Sequence, residues 1–113
     1  MENKIDLRRK YNRTLVIDID SVLAVEDESI PLTDRPVISD ALDAIRLLRQ
    51  KEFKIILYTA RFNHQKDETI EWLNKNNIEY DKIIFGKPRA LLYIDDRGYR
   101  FKDWKSFFED VEL

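Results

Sequence analysis

Cysteine is absent from the 113-residue chain. That excludes disulfides and thiolate metal sites, and it fits a cytoplasmic protein. Histidine is nearly as scarce, with His64 the only one. A dominant charge of one sign is also missing. Lys and Arg number 20 against 22 Asp and Glu, for a formal net charge of −2, so no global basic field points to nucleic acid. The local cluster Arg8, Arg9, Lys10 and Arg13 reads as a solvated N-terminal face. No apolar stretch is long enough to span a bilayer, and the opening "MENKIDLRRK" lacks the apolar core of a signal peptide. A soluble, cytoplasmic protein with no membrane partner is expected.

What is present suits one globular domain. Hydrophobic residues make up 43% and charged residues 37%, too apolar for disorder and long enough for a single core. The expected organisation is one domain over 1–113, with an N-terminal extension at 1–12 and a flap at 22–34. "TLVIDI" (14–19) and "KIILYT" (54–59) read as buried strands, and "KIIF" (82–85) and "LLYI" (91–94) as a third and fourth. Ile38, Ala41, Leu42, Ile45 and Leu48 recur at helical spacing. A second helix is expected over 64–77 with Asn63 as its cap, and a third over Phe101, Trp104, Phe108 and Val111. "VLAVEDESIPL" (22–32) breaks at the polar turn Glu26–Ser29, which predicts a small hairpin or flap. Strands alternating with helices predict parallel crossovers and an α/β sandwich.

In such sheets ligands bind beyond the carboxyl ends of the strands, and each expected strand runs into a polar group there. The first ends in Asp18 and Asp20, the second in Thr59, the third in Gly86-Lys87-Pro88, and the fourth in Asp95-Asp96. Two ionised carboxylates at the end of a buried strand are costly unless paired or bound to a metal. Asp18 and Asp20, two residues apart, point to one side of an extended chain. With Asp95 and Asp96 they form an all-oxygen donor set, which suits Mg²⁺. Lys87 and Thr59 would then receive phosphoryl oxygens. One aspartate can serve as nucleophile, and its neighbour as general acid and base.

The ordered motifs "VIDIDSVL", "ILYTAR", "FGKP" and "YIDDRG" resemble the haloacid dehalogenase (HAD) superfamily of Mg²⁺-dependent phosphatases, from Thr14 to about Phe108. The resemblance implies a three-layer sandwich with a mainly parallel Rossmann-like sheet, a short flap hairpin and no cap domain. It makes Asp18 the nucleophile and a metal ligand, and Asp20 the general acid/base with its main-chain carbonyl on the metal. Thr59 and Lys87 match the phosphate-binding residues. Asp95 and Asp96 match the terminal acidic pair, of which at least one binds Mg²⁺. Ser21 departs from the family's usual glycine. Within the superfamily, "TAR" and the stretch through "FGKP" look most like small capsular-polysaccharide and sugar-biosynthesis phosphatases. "TAR" and "DDR" also resemble the phosphatase domain of polynucleotide kinase-phosphatases.

The expectation is therefore a phosphatase for a phosphorylated small molecule such as a sugar phosphate. A polynucleotide or nucleotide substrate and an inactive binding scaffold are the alternatives. Arg61 is a candidate substrate contact, with an ion pair as the competing reading for it and for Arg97. His64 reads as an exposed helix-start residue, and Glu26, Asp27 and Glu28 as a solvated flap tip. Capless relatives act on large substrates or borrow a neighbouring subunit as a cap, so a homo-oligomer stays open. A receiver domain is disfavoured, because the spaced acid pair comes first here and no lone aspartate ends the second strand.

Overall fold

The computed structural model describes residues 3–113. Met1 and Glu2, the start of the expected extension, lie outside the described residues. The strands are Ile5–Asp6 (β1), Thr14–Ile17 (β2), Lys54–Tyr58 (β3), Lys82–Ile84 (β4) and Val111–Glu112 (β5). The helices are Ala41–Gln50 (α1), Lys66–Lys75 (α2) and Trp104–Asp110 (α3), with short 3₁₀ turns at Leu32–Asp34 and Asn63–Gln65. β2, β3 and β4 form a parallel sheet in that order, with Leu15 opposite Ile55 and Leu57 opposite Ile83. Both crossovers, β2–α1–β3 and β3–α2–β4, lay their helices on one face, because such connections share a single hand.

That face is the dry one. Ile17, Ile55 and Leu57 are buried on the sheet side, and Ala41, Ala44, Ile45 and Leu48 on α1. The α1 positions follow i, i+3, i+4, i+7. Fully burying a side chain such as Leu48 contributes about 1.5–3 kcal/mol. Truncating it to Ala would cost about 2–5 kcal/mol once the cavity is counted.

Both long helices stop in the same way. Glu52 (φ 64°) and Asn77 (φ 56°) are left-handed, and their N–H groups return to the carbonyls of Arg49 and Asn74. The next N–H groups, of Phe53 and Ile78, bond the carbonyls of Leu48 and Leu73 at 3.1 and 3.0 Å. This is the Schellman arrangement, and the buried Phe53 and Ile78 redirect the chain toward the next strand. Asn63 lies in the 3₁₀ turn rather than capping α2. The Phe62 N–H is instead held by Gln65 Oε1 at 2.9 Å.

The expected fourth strand is corrected. Among the described residues no strand pairs with 91–94, and Leu91 (104%) and Ile94 (90%) are exposed. Local contacts compete with a ladder here. The Tyr93 hydroxyl donates to the Pro88 carbonyl, and Asp95 Oδ1 accepts from the N–H groups of Arg97 (2.9 Å) and Gly98 (2.6 Å). Among the described residues no strand pairs with the outer edge of β2.

A second finding concerns the ends of the described chain. β1 pairs in parallel with β5, and the Leu7 N–H bonds the Glu112 carbonyl at 2.8 Å. Val111, expected on the third helix, therefore belongs to a strand. In the basic cluster, Arg8 pairs with Asp6 and Glu112, and the Arg13 guanidinium lies 4.1 Å from the Phe53 ring centre.

Candidate active site

β2 ends at Ile17, and the chain then alternates buried Ile19 with half-buried Asp18 and Asp20. The Ile19 carbonyl accepts from the N–H groups of Leu23 (2.8 Å) and Ala24 (2.9 Å), folding 19–24 into a tight turn. Ser21 sits in that turn at φ 68°, the region glycine enters freely, and its hydroxyl donates to Glu26 at 3.0 Å. The flap is closed at its base by the Ala24–Val37 bridge. Between Asp20 and Thr59 the chain holds only this flap, α1 and β3.

Asp18 accepts a hydrogen bond from the Ile19 N–H at 2.8 Å and faces Lys87 Nζ at 3.6 Å. Burial pushes its carboxyl above the ordinary value, and the neighbouring Asp20 charge adds to the rise. Lys87 and the Ile19 N–H oppose the rise without cancelling it. Asp20 lies in a different electrostatic setting. Arg61 grips both of its oxygens, Nε to Oδ2 at 3.0 Å and Nη2 to Oδ1 at 2.7 Å. Arg35, the residue after the flap, reaches Oδ1 at 3.5 Å.

Thr59 knots two strand ends together. Its N–H bonds the Ile84 carbonyl at 3.0 Å, and its carbonyl accepts from the Lys87 N–H at 2.9 Å. Its side chain is fully buried, with the hydroxyl oxygen accepting from the Arg61 N–H at 3.1 Å. Gly86, at φ 80°, makes the turn that brings Lys87 over the sheet edge. The Lys87 ammonium also lies 4.6 Å from the Tyr93 ring centre. Thr59, Lys87, Asp18, Asp20 and Arg61 thus share one edge of the sheet.

Asp95 and Asp96 are not brought to that edge. Both are exposed on the 87–100 segment. The Arg97 and Gly98 N–H groups hold the Asp95 carboxyl below the usual range, and Asp96 lies 3.9 Å from Arg97. Among the described residues, no three acidic or histidine side chains converge on one point. The candidate donors fit a hard cation in kind, all being oxygen, and Asp18 is the carboxylate at the edge without a guanidinium on it. Arg35 and Thr69 belong to none of the ordered motifs that the sequence offers. Their contacts bridge 15 and 8 residues, and no local pattern marks them. Exposed His64 stacks on Phe62, with ring centres 5.5 Å apart, and the Arg89 guanidinium lies 5.5 Å from the Phe62 ring centre.

Comparison with solved structures gives the same architecture. A Vibrio cholerae structural-genomics target superposes with a TM-score of 0.67 at 25% identity, covering 85% of this chain and 94% of that one. A conserved protein from Bacteroides thetaiotaomicron gives 0.61 at 25% identity, covering 85% and 86%. A chain of the Pnkp1/Rnl/Hen1 complex gives 0.60 at 20% identity. There the match covers 75% of this chain but only 32% of the other, so it shows the fold alone. No curated protein matches. The fold is HAD-like. A family model described as "PITM 1-3, LNS2 domain" matches residues 15–113, and the chain belongs to that family.

Proposed function

We propose that this protein is a capless, Mg²⁺-dependent phosphatase that works through an aspartyl-phosphate on Asp18. The observation that carries the reading is Asp18 itself, half-buried beyond the end of β2 with Lys87 Nζ 3.6 Å away. A nucleophilic carboxylate needs an open approach, and an incoming phosphate needs a cation beside it. The HAD-like fold and the LNS2 family membership support the same chemistry.

In the first half-reaction Asp18 attacks phosphorus, Lys87 holds phosphoryl oxygens, and Asp20 gives a proton to the departing ester oxygen. In the second half Asp20 takes a proton from the attacking water. Buried Thr59 sets the Lys87 backbone and the Arg61 N–H. Mg²⁺ would be held by Asp18 and the Asp20 carbonyl, the oxygen donors present at that edge. When bound it neutralises charge on the phosphate. The substrate is a phosphorylated small molecule, with a sugar phosphate as first choice. A second reading, a phosphorylated nucleic-acid end, is favoured by the exposed Phe62–His64 stack flanked by Arg89, since aromatic faces accept any base.

Phosphate release is measured with and without Mg²⁺ from sugar phosphates, nucleotides, pyrophosphate, a 3′-phosphorylated oligonucleotide and an aryl phosphate. Mg²⁺-dependent release that Asp18→Asn abolishes is expected. A sugar phosphate as best substrate supports the first choice. An oligonucleotide preference that Phe62→Ala weakens supports the second. No release from any ester by folded protein would leave a binding scaffold.

A further inference from the structure

Arg61 is 3% exposed, a rare setting for a guanidinium. Burial of this charge is tolerated only when it is paired and hydrogen-bonded, and here each of its three side-chain nitrogens has a partner. Nε and Nη2 grip the two oxygens of Asp20 at 3.0 and 2.7 Å, and Nη1 donates to Thr69 Oγ1 at 3.0 Å. Thr69 is fully buried on α2, and its own hydroxyl proton goes to the Gln65 carbonyl at 2.8 Å. Its remaining acceptor capacity is directed at Arg61. A bidentate guanidinium fixes the plane of a carboxylate as well as its place. The chain of contacts therefore runs from α2 through Thr69 and Arg61 to Asp20.

We propose that Arg61 is a positioning residue that aims the Asp20 carboxyl, with Thr69 holding Arg61 in register, and that neither side chain contacts the substrate. This rests on the Asp18 phosphatase reading. In the first half-reaction the Asp18 oxygen bonds to phosphorus while the phosphorus–ester oxygen bond breaks, and the departing oxygen takes the Asp20 proton. In the second, water bonds to phosphorus and the phosphorus–Asp18 bond breaks, while the water proton goes to Asp20. Asp20 ends as it began. A misaimed Asp20 hurts the first half-reaction most when the leaving oxygen is a poor one that must be protonated as it departs.

The experiment compares an alkyl ester, glycerol phosphate, with p-nitrophenyl phosphate, whose leaving group departs unaided. Leaving-group release is followed in a single turnover, so only the first half-reaction is read. Arg61→Ala is expected to slow the alkyl ester about 100-fold and the aryl ester less than about tenfold, with steady-state KM changed less than about twofold. Thr69→Val should show the same pattern at about a tenth of the size, Thr69→Ser should restore it, and Asp20→Asn should reproduce it in full. Circular dichroism checks folding; should Arg61→Ala fail to fold, Thr69→Val carries the comparison. A raised KM with unchanged kcat would make Arg61 a substrate contact and overturn the proposal. Equal losses on both esters would reduce it to a structural ion pair. A wild-type chain that releases neither leaving group would instead overturn the phosphatase reading and the clamp with it.

Discussion

At Asp18, burial and the Asp20 charge together push the carboxyl above its ordinary value. A group with a raised folded value takes up protons on folding. Its ionised form therefore costs stability once the pH has passed through that value, and the cost vanishes below the unfolded value of 3.8. Asp18→Asn removes the charge while Asn can still accept from the Ile19 N–H. In buffer containing EDTA, thermal melts should show Asp18→Asn more stable than wild type at pH 7 and level with it near pH 3. An Asn variant that melts lower at pH 7 would mean the Lys87 pairing outweighs burial. Ser21 makes a smaller point. A left-handed non-glycine residue costs about 1–2 kcal/mol, while glycine raises the entropy of the unfolded chain by about 0.4–1 kcal/mol and would forfeit the Glu26 contact. Ser21→Gly should thus change the unfolding free energy in urea by less than about 1 kcal/mol. Ser21→Val, β-branched at the same φ, should cost more than that. Asp18 and Asp20 were legible in the sequence because an apolar run ended in them. The partners of Asp20 were not, since Arg61 lies 41 residues away and only the fold joins them.

Among the elements, strand pairing depends on one exposed carboxylate. Asp81 precedes β4, and its Oδ2 accepts from the Ile55 N–H at 2.8 Å and from Arg49 Nη1 at 2.5 Å. The Asp81 N–H returns to the Ile55 carbonyl at 2.9 Å, so this residue clips β3 to the start of β4 and to α1. The Ile55 N–H, with Arg49, holds the Asp81 carboxyl below its ordinary value of 3.8. The stabilisation is therefore complete above that value and fades as the pH falls through the lower, folded one. Asp81→Asn should lower the melting temperature at pH 7, and the gap to wild type should close in acid. A gap that persists at pH 2 would assign the effect to shape rather than charge. The apolar runs of β2, β3 and β4 revealed these strands because burial on the sheet demands them. The run at 91–94 has the same composition but pairs with no strand among the described residues, since hydrophobicity along the chain does not encode what a neighbouring edge offers. The two-residue strands β1 and β5 are too short to leave any period.

The whole molecule carries its own reporters, because its two tryptophans sit in separate elements and both are buried. Trp72, on α2, donates from Nε1 to the Arg35 carbonyl at 2.6 Å and so ties that helix to the residue after the flap. Trp104, on α3, donates to the Val22 carbonyl at 3.0 Å and packs edge-on to Phe101 and Phe107. Both anchors reach the stretch that follows Asp20, one from mid-chain and one from near the last residues, and both belong to one buried cluster. A chain of this size with one core should unfold in a single step. In Trp72→Phe only Trp104 reports, and in Trp104→Phe only Trp72. Each substitution destabilises to its own extent, so the comparison is made within each variant between tryptophan fluorescence and far-ultraviolet circular dichroism. In urea the two signals should give one midpoint and one slope in both variants. A fluorescence transition of Trp104 that precedes loss of helix signal would show α3 and β5 leaving first as a separate unit. The turn at Val22, and with it the approach to Asp20, would then have lost its Trp104 anchor.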